Sequence, residues 1–108
     1  MMNDKDAKKL GIKNGDVVRV FNKRGEVLAD ALVTKDIMQG VMRLCEGGWY
    51  DPDENGRCKY GCVNVLTMDI PTSKLANGNC SHTCLVNVEK FKGTLPEVTA
   101  FSAPKGAV

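Results

Sequence analysis

The sequence lacks the features that mark several large classes of protein. Its formal net charge is only +2, whereas a dedicated nucleic-acid binder is expected to concentrate positive charge on one face. Arg19, Lys23 and Arg24 lie close together, but Glu26 follows them, and we expect a solvated rim there. No apolar run approaches the roughly 18 residues of a membrane span, and the polar N-terminus lacks the apolar core of a secretion signal. We therefore expect no nucleic-acid partner and no membrane span, in a chain that stays in the cytoplasm or is a piece whose targeting signal lies elsewhere.

A self-sufficient catalytic set is also missing. Neither GxGxxG nor GxxxxGK[ST], the glycine motifs that cradle phosphates, occurs in the sequence. The single histidine, His82, has a cysteine two positions away, but a nucleophilic cysteine also needs an electropositive pocket and an orienting partner. The acidic residues between Glu46 and Glu54 do not have the spacing of an EF-hand loop. We therefore expect a binding module or a piece of a larger enzyme, with no catalytic residue of its own.

Cysteine is plentiful, yet its number argues against a disulfide framework. The chain has five cysteines, and an odd number fits poorly with paired disulfides. With 43% hydrophobic residues among 108, a single domain can build a core without covalent staples. Free thiols under reducing conditions are the expectation. Zinc binding is the alternative, because two short-spaced pairs with His82 inside the second could supply thiolate ligands: Cys58 with Cys62, and Cys80 with Cys84.

Local patterns predict one helix and one tight hairpin. Capping residues predict a short helix over residues 4–10 that stops at Gly11 and packs through Ala7 and Leu10. A hairpin turn is predicted at residues 22–25, with its glycine free to adopt a positive φ.

The remainder of the chain is predicted to be mainly β. Turn residues recur every eight to twelve positions between β-branched runs, which favours a small closed barrel. Strands are predicted at residues 17–21, 26–34, 41–44, 63–67 and 83–89, with one helical turn near 72–76 and a frayed tail at 104–108.

The segment from Asn64 to Thr83 is the most informative part of the chain. It is rich in glycine and asparagine, and its polar groups are short amides, hydroxyls, one imidazole and a single lysine. Such groups suit many directional hydrogen bonds with a polar heterocycle. Trp49 stands on a second, glycine-hinged loop, where it is either a core residue or a ligand platform.

Three stretches carry a family resemblance. They are residues 6–27 (DAKKLGIKNGDVVRVFNKRGEV), residues 46–52 (EGGWYDP) and residues 63–90, from VNVLT to VEK. Together they resemble the C-terminal domain of the molybdopterin-dependent dimethyl sulfoxide/trimethylamine N-oxide reductase family, from Met2 to about Pro104. The resemblance implies a six-stranded double-psi β-barrel, complete or lacking part of its N-terminal side, in a single domain over residues 1–108.

The resemblance also implies a function, that of a molybdopterin guanine dinucleotide-binding domain. In this family two pterin dinucleotides chelate molybdenum, and the whole enzyme reduces an S- or N-oxide by oxygen-atom transfer. The protein ligand of the metal belongs to an earlier domain, so no cysteine of this chain is expected to bind molybdenum. We expect the remaining domains of the parent polypeptide as partners and, by family analogy, a periplasmic location. The isolated chain is expected to be monomeric, inactive and without cofactor.

Particular residues match the family's contacts with the pterin end of bis-molybdopterin guanine dinucleotide. Asn64 matches an asparagine that contacts the pterin dinucleotide, and His82 lies at or beside a polar contact position. Trp49 falls on the loop that reaches towards the substrate funnel. Three neighbours of His82 complete the predicted contacts: Gly78, Asn79 and Ser81. The alternative hypothesis is a free-standing cradle-loop barrel that serves as a metal-binding or transcription-related module.

Overall fold

The computed structural model describes residues 1–78, 84–97, 103 and 106. Over these residues the chain is mainly β with two short helical elements, which confirms the prediction of a mainly β protein. No helix in this part of the chain is long and apolar enough to cross a membrane. In chain order the elements are strand β1 (Met2–Asn3), helix α1 (Asp4–Leu10), β2 (Val17–Phe21), β3 (Glu26–Asp30), β4 (Val33–Thr34), a 3₁₀ turn (Val63–Val65) and β5 (Asn87–Lys90).

Helix α1 begins and ends at its capping residues. The Asn3 side chain accepts a hydrogen bond from a backbone N–H of the first turn at 2.9 Å, which satisfies one donor left free at the helix start. Gly11 ends the helix with a φ of 69°, a left-handed conformation that glycine adopts without a Cβ clash. The predicted bounds are therefore confirmed. Ala7 is buried as expected, but Leu10 is 46% exposed, because Ala7 and the following Ile12 carry the buried contacts of so short a helix.

A three-stranded antiparallel sheet in the order β3-β2-β5 forms the centre of the fold. In β2 the buried residues Val18 and Val20 alternate with residues of the opposite face such as Arg19, as the two-residue period of a strand requires. Val27 of β3 pairs with Val20 and is fully buried. The sheet and its neighbours share one apolar core: Met2, Ala7, Ile12, Val18, Val20, Val27, Ala31, Cys58 and Leu66.

The strand predicted at residues 26–34 is interrupted. β3 ends at Asp30, and β4 pairs in parallel with β1 instead of continuing in the three-stranded sheet. The backbone N–H of Gly15 donates to the carbonyl of Ala31 at 2.8 Å, and the N–H of Ala31 donates to the carbonyl of Asp16 at 2.8 Å. These bonds are the last backbone bonds between this part of the chain and the β2 side of the three-stranded sheet, so the single long strand is wrong.

Three other predicted strands form differently. Residues 63–67 contain a 3₁₀ turn rather than a strand, and residues 41–44 contribute only an isolated bridge between Met42 and Met2. Among the described residues, the strand predicted at 83–89 begins only at Asn87. Short apolar runs produced these errors, because periodicity over four or five residues does not separate a strand from another buried segment.

The helical turn predicted near residues 72–76 is also wrong. The Thr72 hydroxyl donates to the carbonyl of Ala76 at 2.8 Å, and the N–H of Ala76 donates to the Ser73 hydroxyl at 2.8 Å. Both hydroxyls therefore close an irregular turn, in competition with the helix that they were expected to cap.

The hairpin at residues 22–25 is confirmed, but its glycine serves a different purpose. The N–H of Asn22 donates to the carbonyl of Gly25 at 3.1 Å, directly beyond the last pair of β2 and β3. Gly25 does not have the positive φ that was expected. A Cβ at this position would lie 2.6 Å from the carbonyl oxygen of Val65. The residue must therefore be small because the 3₁₀ turn packs against the hairpin.

The strands of the described residues form two separate sheets, one of two strands and one of three. A closed six-stranded barrel therefore stays a prediction. The frayed tail also stays a prediction, since residues 104, 105, 107 and 108 lie outside the described residues.

Candidate functional site

A concavity of about 680 Å³ opens beside the 3₁₀ turn. Its lining combines residues of the apolar core with exposed polar side chains, which is the usual composition of a small-molecule site. The residues that line it are Val20, Met42, Arg43, Leu44, Cys45, Glu46, Val63, Asn64, Leu66, Thr67, Cys84 and Val86.

Asn64 is the central residue of the 3₁₀ turn and is exposed at this concavity. The N–H of Leu66 donates to the carbonyl of Val63 at 3.0 Å, and the Thr67 hydroxyl donates to the carbonyl of Asn64 at 3.2 Å. These two bonds fix the backbone around Asn64. Its side-chain amide offers two donors and one acceptor group to a ligand.

Arg43 and Glu46 add charge to the same lining. The backbone of Arg43 is held by the N-terminus, since the Met1 ammonium donates to its carbonyl at 2.7 Å and its N–H donates to the Met1 carbonyl at 3.1 Å. Burial of the Met1 ammonium lowers its pKa. Arg43 itself is exposed, as is Glu46. The concavity therefore presents a guanidinium, a carboxylate, an amide and a hydroxyl along one apolar surface.

The hairpin between β2 and β3 holds two walls of the concavity together. The Asn22 side chain donates to the carbonyl of Leu66 at 2.9 Å and to that of Leu85 at 3.2 Å. Arg24 Nε donates to the Leu66 carbonyl at 2.7 Å, and the Cys84 thiol donates to the same carbonyl at 2.9 Å. The sequence pattern indicates only a turn at Asn22 and a solvated rim at Arg24. It misses these contacts because the partners lie between 42 and 63 positions away.

Two further predicted site residues lie within the described part of the chain. Gly78 is in an exposed turn, where its carbonyl accepts a hydrogen bond from the N–H of Thr72 at 3.0 Å. Trp49 is 50% exposed. Neither residue lines the concavity with Asn64. The three other predicted contacts lie outside the described residues, namely Asn79, Ser81 and His82.

The described cysteines are free thiols in separate environments. Cys58 is fully buried in the core, and its N–H and carbonyl are both hydrogen-bonded to the β3 region at 2.9 Å. Cys45 is exposed, whereas Cys62 and Cys84 are partly buried. In the part of the chain that the structure describes, no three His, Cys, Asp or Glu side chains come together as metal ligands. The zinc alternative needs Cys80 and His82, which lie outside the described residues, so it stays a hypothesis.

A second concavity of about 680 Å³ lies over ion pairs on the other face of the sheet. The Arg19 guanidinium donates to both carboxylate oxygens of Glu26, at 2.9 and 2.6 Å, and to Glu89 at 2.9 Å. The hydrogen bond from Arg19 lowers the pKa of Glu26, and the same bond raises the pKa of Arg19. The Arg19 side chain is only 22% exposed, so the predicted solvated rim is wrong at Arg19, whereas Lys23 and Arg24 are exposed as predicted. Because these charges already satisfy one another, this surface is the weaker candidate for a polar ligand.

Comparison with known protein families identifies the family of this chain. Residues 1–85 match the family described as "Molydopterin dinucleotide binding domain". The chain belongs to this family. The matched range contains every residue that lines the first concavity except Val86.

The relatives of this dinucleotide-binding domain are large reductases. It is 54% identical over 110 residues to the trimethylamine-N-oxide reductase of Haemophilus influenzae, with 97% of this chain covered. It is 54% identical over 107 residues to trimethylamine-N-oxide reductase 1 of Escherichia coli O157:H7, with 95% covered. It is 50% identical over 111 residues to the dimethyl sulfoxide/trimethylamine N-oxide reductase of Cereibacter sphaeroides, with 99% covered. The chain spans only 13%, 13% and 14% of the lengths of these three proteins.

The side chains of the concavity fit the ligand of this family. A pterin is a dense array of hydrogen-bond donors and acceptors, and a dinucleotide adds phosphate groups. The Asn64 amide can both donate and accept, the Thr67 hydroxyl can accept, and the Arg43 guanidinium suits an anionic oxygen. These residues would hold the polar edge of such a ligand.

Proposed function

We propose that this chain binds the pterin end of a bis-molybdopterin guanine dinucleotide cofactor. The parent enzyme would be an S- or N-oxide reductase of the trimethylamine N-oxide or dimethyl sulfoxide type. The observation that carries the proposal is the position of Asn64, which resembles a cofactor-contacting asparagine of the family and is exposed at the concavity. The names of the relatives support the reaction class.

The residues of this chain act by binding and orientation. A bound molybdenum cofactor supplies the oxygen-atom transfer chemistry. The amide of Asn64 pairs with ring donors and acceptors, and the Thr67 hydroxyl, which donates to the Asn64 carbonyl, adds an acceptor beside it. Val20 and Leu66, both buried, exclude water from the inner side of the site. The protein ligand of molybdenum is supplied by another part of the polypeptide, so no catalytic residue is assigned to this chain.

Further parts of the proposal rest on the family resemblance. The site extends to Trp49 and to four loop residues, Gly78, Asn79, Ser81 and His82. The fold is a six-stranded double-psi β-barrel with short helices, formed as one domain over residues 1–108 with a frayed end. The barrel caps the cofactor within the larger enzyme.

The proposed setting is a periplasmic enzyme whose remaining domains are the partners of this one. Export of the prefolded, cofactor-loaded protein would allow unpaired cysteines to coexist with that location. The isolated domain would be a monomer without activity, since only part of the site is present in it.

The proposal is tested by Asn64→Ala in the full-length polypeptide. A buried heterocycle group that loses its partner costs about 1–3 kcal/mol, equivalent to roughly five- to 150-fold weaker retention of the cofactor. Molybdenum and guanine nucleotide per polypeptide are measured after gel filtration. Asn55→Ala is the matched control, because Asn55 is an exposed asparagine that lies at the other concavity.

The result expected is loss of both molybdenum and guanine nucleotide in Asn64→Ala and full retention in Asn55→Ala. The same Asn64→Ala change should leave the thermal midpoint of the domain unaltered, because the side chain is exposed. Full cofactor content in Asn64→Ala would place the site elsewhere.

A further inference from the structure

The tip of the β2–β3 hairpin, residues 22–25, joins two walls of the concavity without lining it. One wall is the 3₁₀ turn with Leu66, and the other begins at Cys84. The tip contacts both walls: Asn22 donates to Leu66 and Leu85, and Arg24 donates to Leu66. A further contact is steric, since a Cβ on Gly25 would lie 2.6 Å from the Val65 carbonyl oxygen.

Asn22 has two separable tasks. Its Oδ1 accepts hydrogen bonds from the N–H groups of Arg24 at 2.8 Å and Gly25 at 3.3 Å, which shape the hairpin turn. Its Nδ2 faces away from the turn and donates to the carbonyls of Leu66 at 2.9 Å and Leu85 at 3.2 Å. The first task is local. The second task connects Asn22 to Leu66 and Leu85, which lie 44 and 63 positions further along the chain.

The carbonyl of Leu66 is the point at which these contacts meet. It accepts from Asn22 Nδ2, from Arg24 Nε at 2.7 Å and from the Cys84 thiol at 2.9 Å. The bond from Arg24 is charge-assisted and is therefore the strongest of the three. Leu66 is 4% exposed. Loss of these donors would therefore leave its buried carbonyl without hydrogen-bond partners, which is unfavourable.

The orientation of Asn64 depends on that carbonyl. Leu66 follows Asn64 by two residues, and its N–H closes the 3₁₀ turn on the carbonyl of Val63 at 3.0 Å. A shift of Leu66 therefore moves the turn that presents the Asn64 amide. The Cys84 thiol also receives contacts from Asn22 Nδ2 at 3.5 Å and Arg24 Nη2 at 3.6 Å, so the second wall would move with the first.

From these contacts we infer that Asn22 and Arg24 are positioning residues for cofactor binding, acting as a clamp that fixes Leu66 and Cys84 and through them the Asn64 turn. This inference rests on the proposed function. It assigns a part in cofactor retention to two side chains that do not line the concavity.

Two conservative variants test the hydrogen bonds of the clamp. One keeps the acceptor that shapes the hairpin turn, and the other keeps the positive charge. Asn22→Asp keeps the Oδ1 acceptor of the turn but replaces the donor that faces the two carbonyls. Arg24→Lys keeps the positive charge but removes the Nε–H group. Lys23→Ala is the control, because Lys23 is an exposed residue of the same tip. All three are made in the full-length polypeptide.

The first measurement is the alkylation rate of Cys84, followed by peptide mass spectrometry on protein from cells starved of molybdate. We expect Cys84 to react about tenfold faster in both clamp variants, because each has lost a hydrogen bond to the shared carbonyl. The rate should be unchanged in Lys23→Ala. Fully buried Cys58 is the internal reference for folding. A variant that also exposes Cys58 has unfolded, and the inference is then tested by the other clamp variant.

The second measurement is the content of molybdenum and guanine nucleotide after gel filtration of protein made with molybdate. Both clamp variants should lose at least half of each, with Lys23→Ala retaining both and Asn64→Ala serving as the reference for loss of the site. Unchanged alkylation of Cys84, or faster alkylation with full cofactor retention, overturns the inference. If Asn64→Ala loses the cofactor while the clamp variants keep it, only the clamp is wrong, whereas full retention in Asn64→Ala means that the proposed function has failed.

Discussion

The backbone of Gly25 lies directly against Val65. A Cβ on Gly25 would stand 2.6 Å from the carbonyl oxygen of Val65 and 3.1 Å from its Cβ. Real Cβ atoms do not approach a carbonyl oxygen so closely, so the hairpin lies nearer to the 3₁₀ turn than a residue with a Cβ would allow. The requirement for glycine here is one of space, because Gly25 is not among the residues with a positive φ.

Gly25→Ala should therefore destabilise the domain. The methyl group cannot be placed without moving either the hairpin or the turn that carries Asn64, and such overpacking costs about 1–3 kcal/mol. Urea unfolding followed by tryptophan fluorescence measures the change. Lys23→Ala, at an exposed position of the same hairpin tip, should stay within about 0.5 kcal/mol of the unaltered chain. An unchanged midpoint in Gly25→Ala would show that the turn can move away at no cost.

Helix α1 and the hairpin could be predicted from the sequence because the interactions that define them are local. The Asn3 cap and the left-handed Gly11 bracket seven residues, and the hairpin turn is closed by Asn22 and Gly25. Capping and turn preferences act over this range. The interruption of the strand after Asp30 could not be predicted, because the residues that follow pair with the distant strand β1.

The same difference between local and long-range interactions applies to the candidate site. The resemblance indicated Asn64, and the structure places it at a concavity. Neither the conformation of its turn nor the role of Asn22 and Arg24 could be predicted, because both depend on contacts between distant parts of the chain. Arg19 was misjudged for the same reason, since one of its carboxylate partners lies 70 positions away.

The Arg19–Glu26 pair should make stability depend on acidity. The hydrogen bond from Arg19 lowers the pKa of Glu26 below its ordinary value of 4.5. The folded state therefore binds this proton less readily than the unfolded chain does. The resulting stabilisation is fully present above pH 4.5 and is lost as the pH falls through the lower, folded-state value. Because the Glu26 side chain is 36% exposed, solvent screening keeps the contribution small.

Glu26→Gln isolates this dependence. Urea midpoints measured from pH 7 to pH 3 should fall less steeply below pH 4.5 in the variant than in the unaltered chain. Glu54→Gln, at an exposed loop carboxylate, should reproduce the unaltered profile. If the urea midpoints of Glu26→Gln and of the unaltered chain fall equally steeply below pH 4.5, the pair does not influence stability.

Zinc analysis tests the alternative use of the cysteines. We expect domain purified without added metal to contain no stoichiometric zinc, because Cys58 is buried in the apolar core, where it packs as a small hydrophobic group. Elemental analysis measures the zinc, and circular dichroism before and after chelation reports the fold. One tightly held Zn²⁺ per chain, lost together with the fold on chelation, would instead support ligation by the cysteine pairs.

The isolated domain should not reduce trimethylamine N-oxide or dimethyl sulfoxide. The chain spans only 13–14% of the length of the reductases that it resembles, and the protein ligand of molybdenum is proposed to lie in another part of the polypeptide. We expect the chain without that ligand not to hold the metal that the proposed oxygen-atom transfer requires. Oxidation of a reduced dye donor by each oxide is the measurement, made on domain shown by circular dichroism to be folded. The cofactor-loaded full-length polypeptide is the positive control and should turn over at least one of the two oxides. Sustained dye oxidation by metal-free domain would show that this chain has a catalytic site of its own and would overturn its assignment as a cofactor-binding part of a larger enzyme.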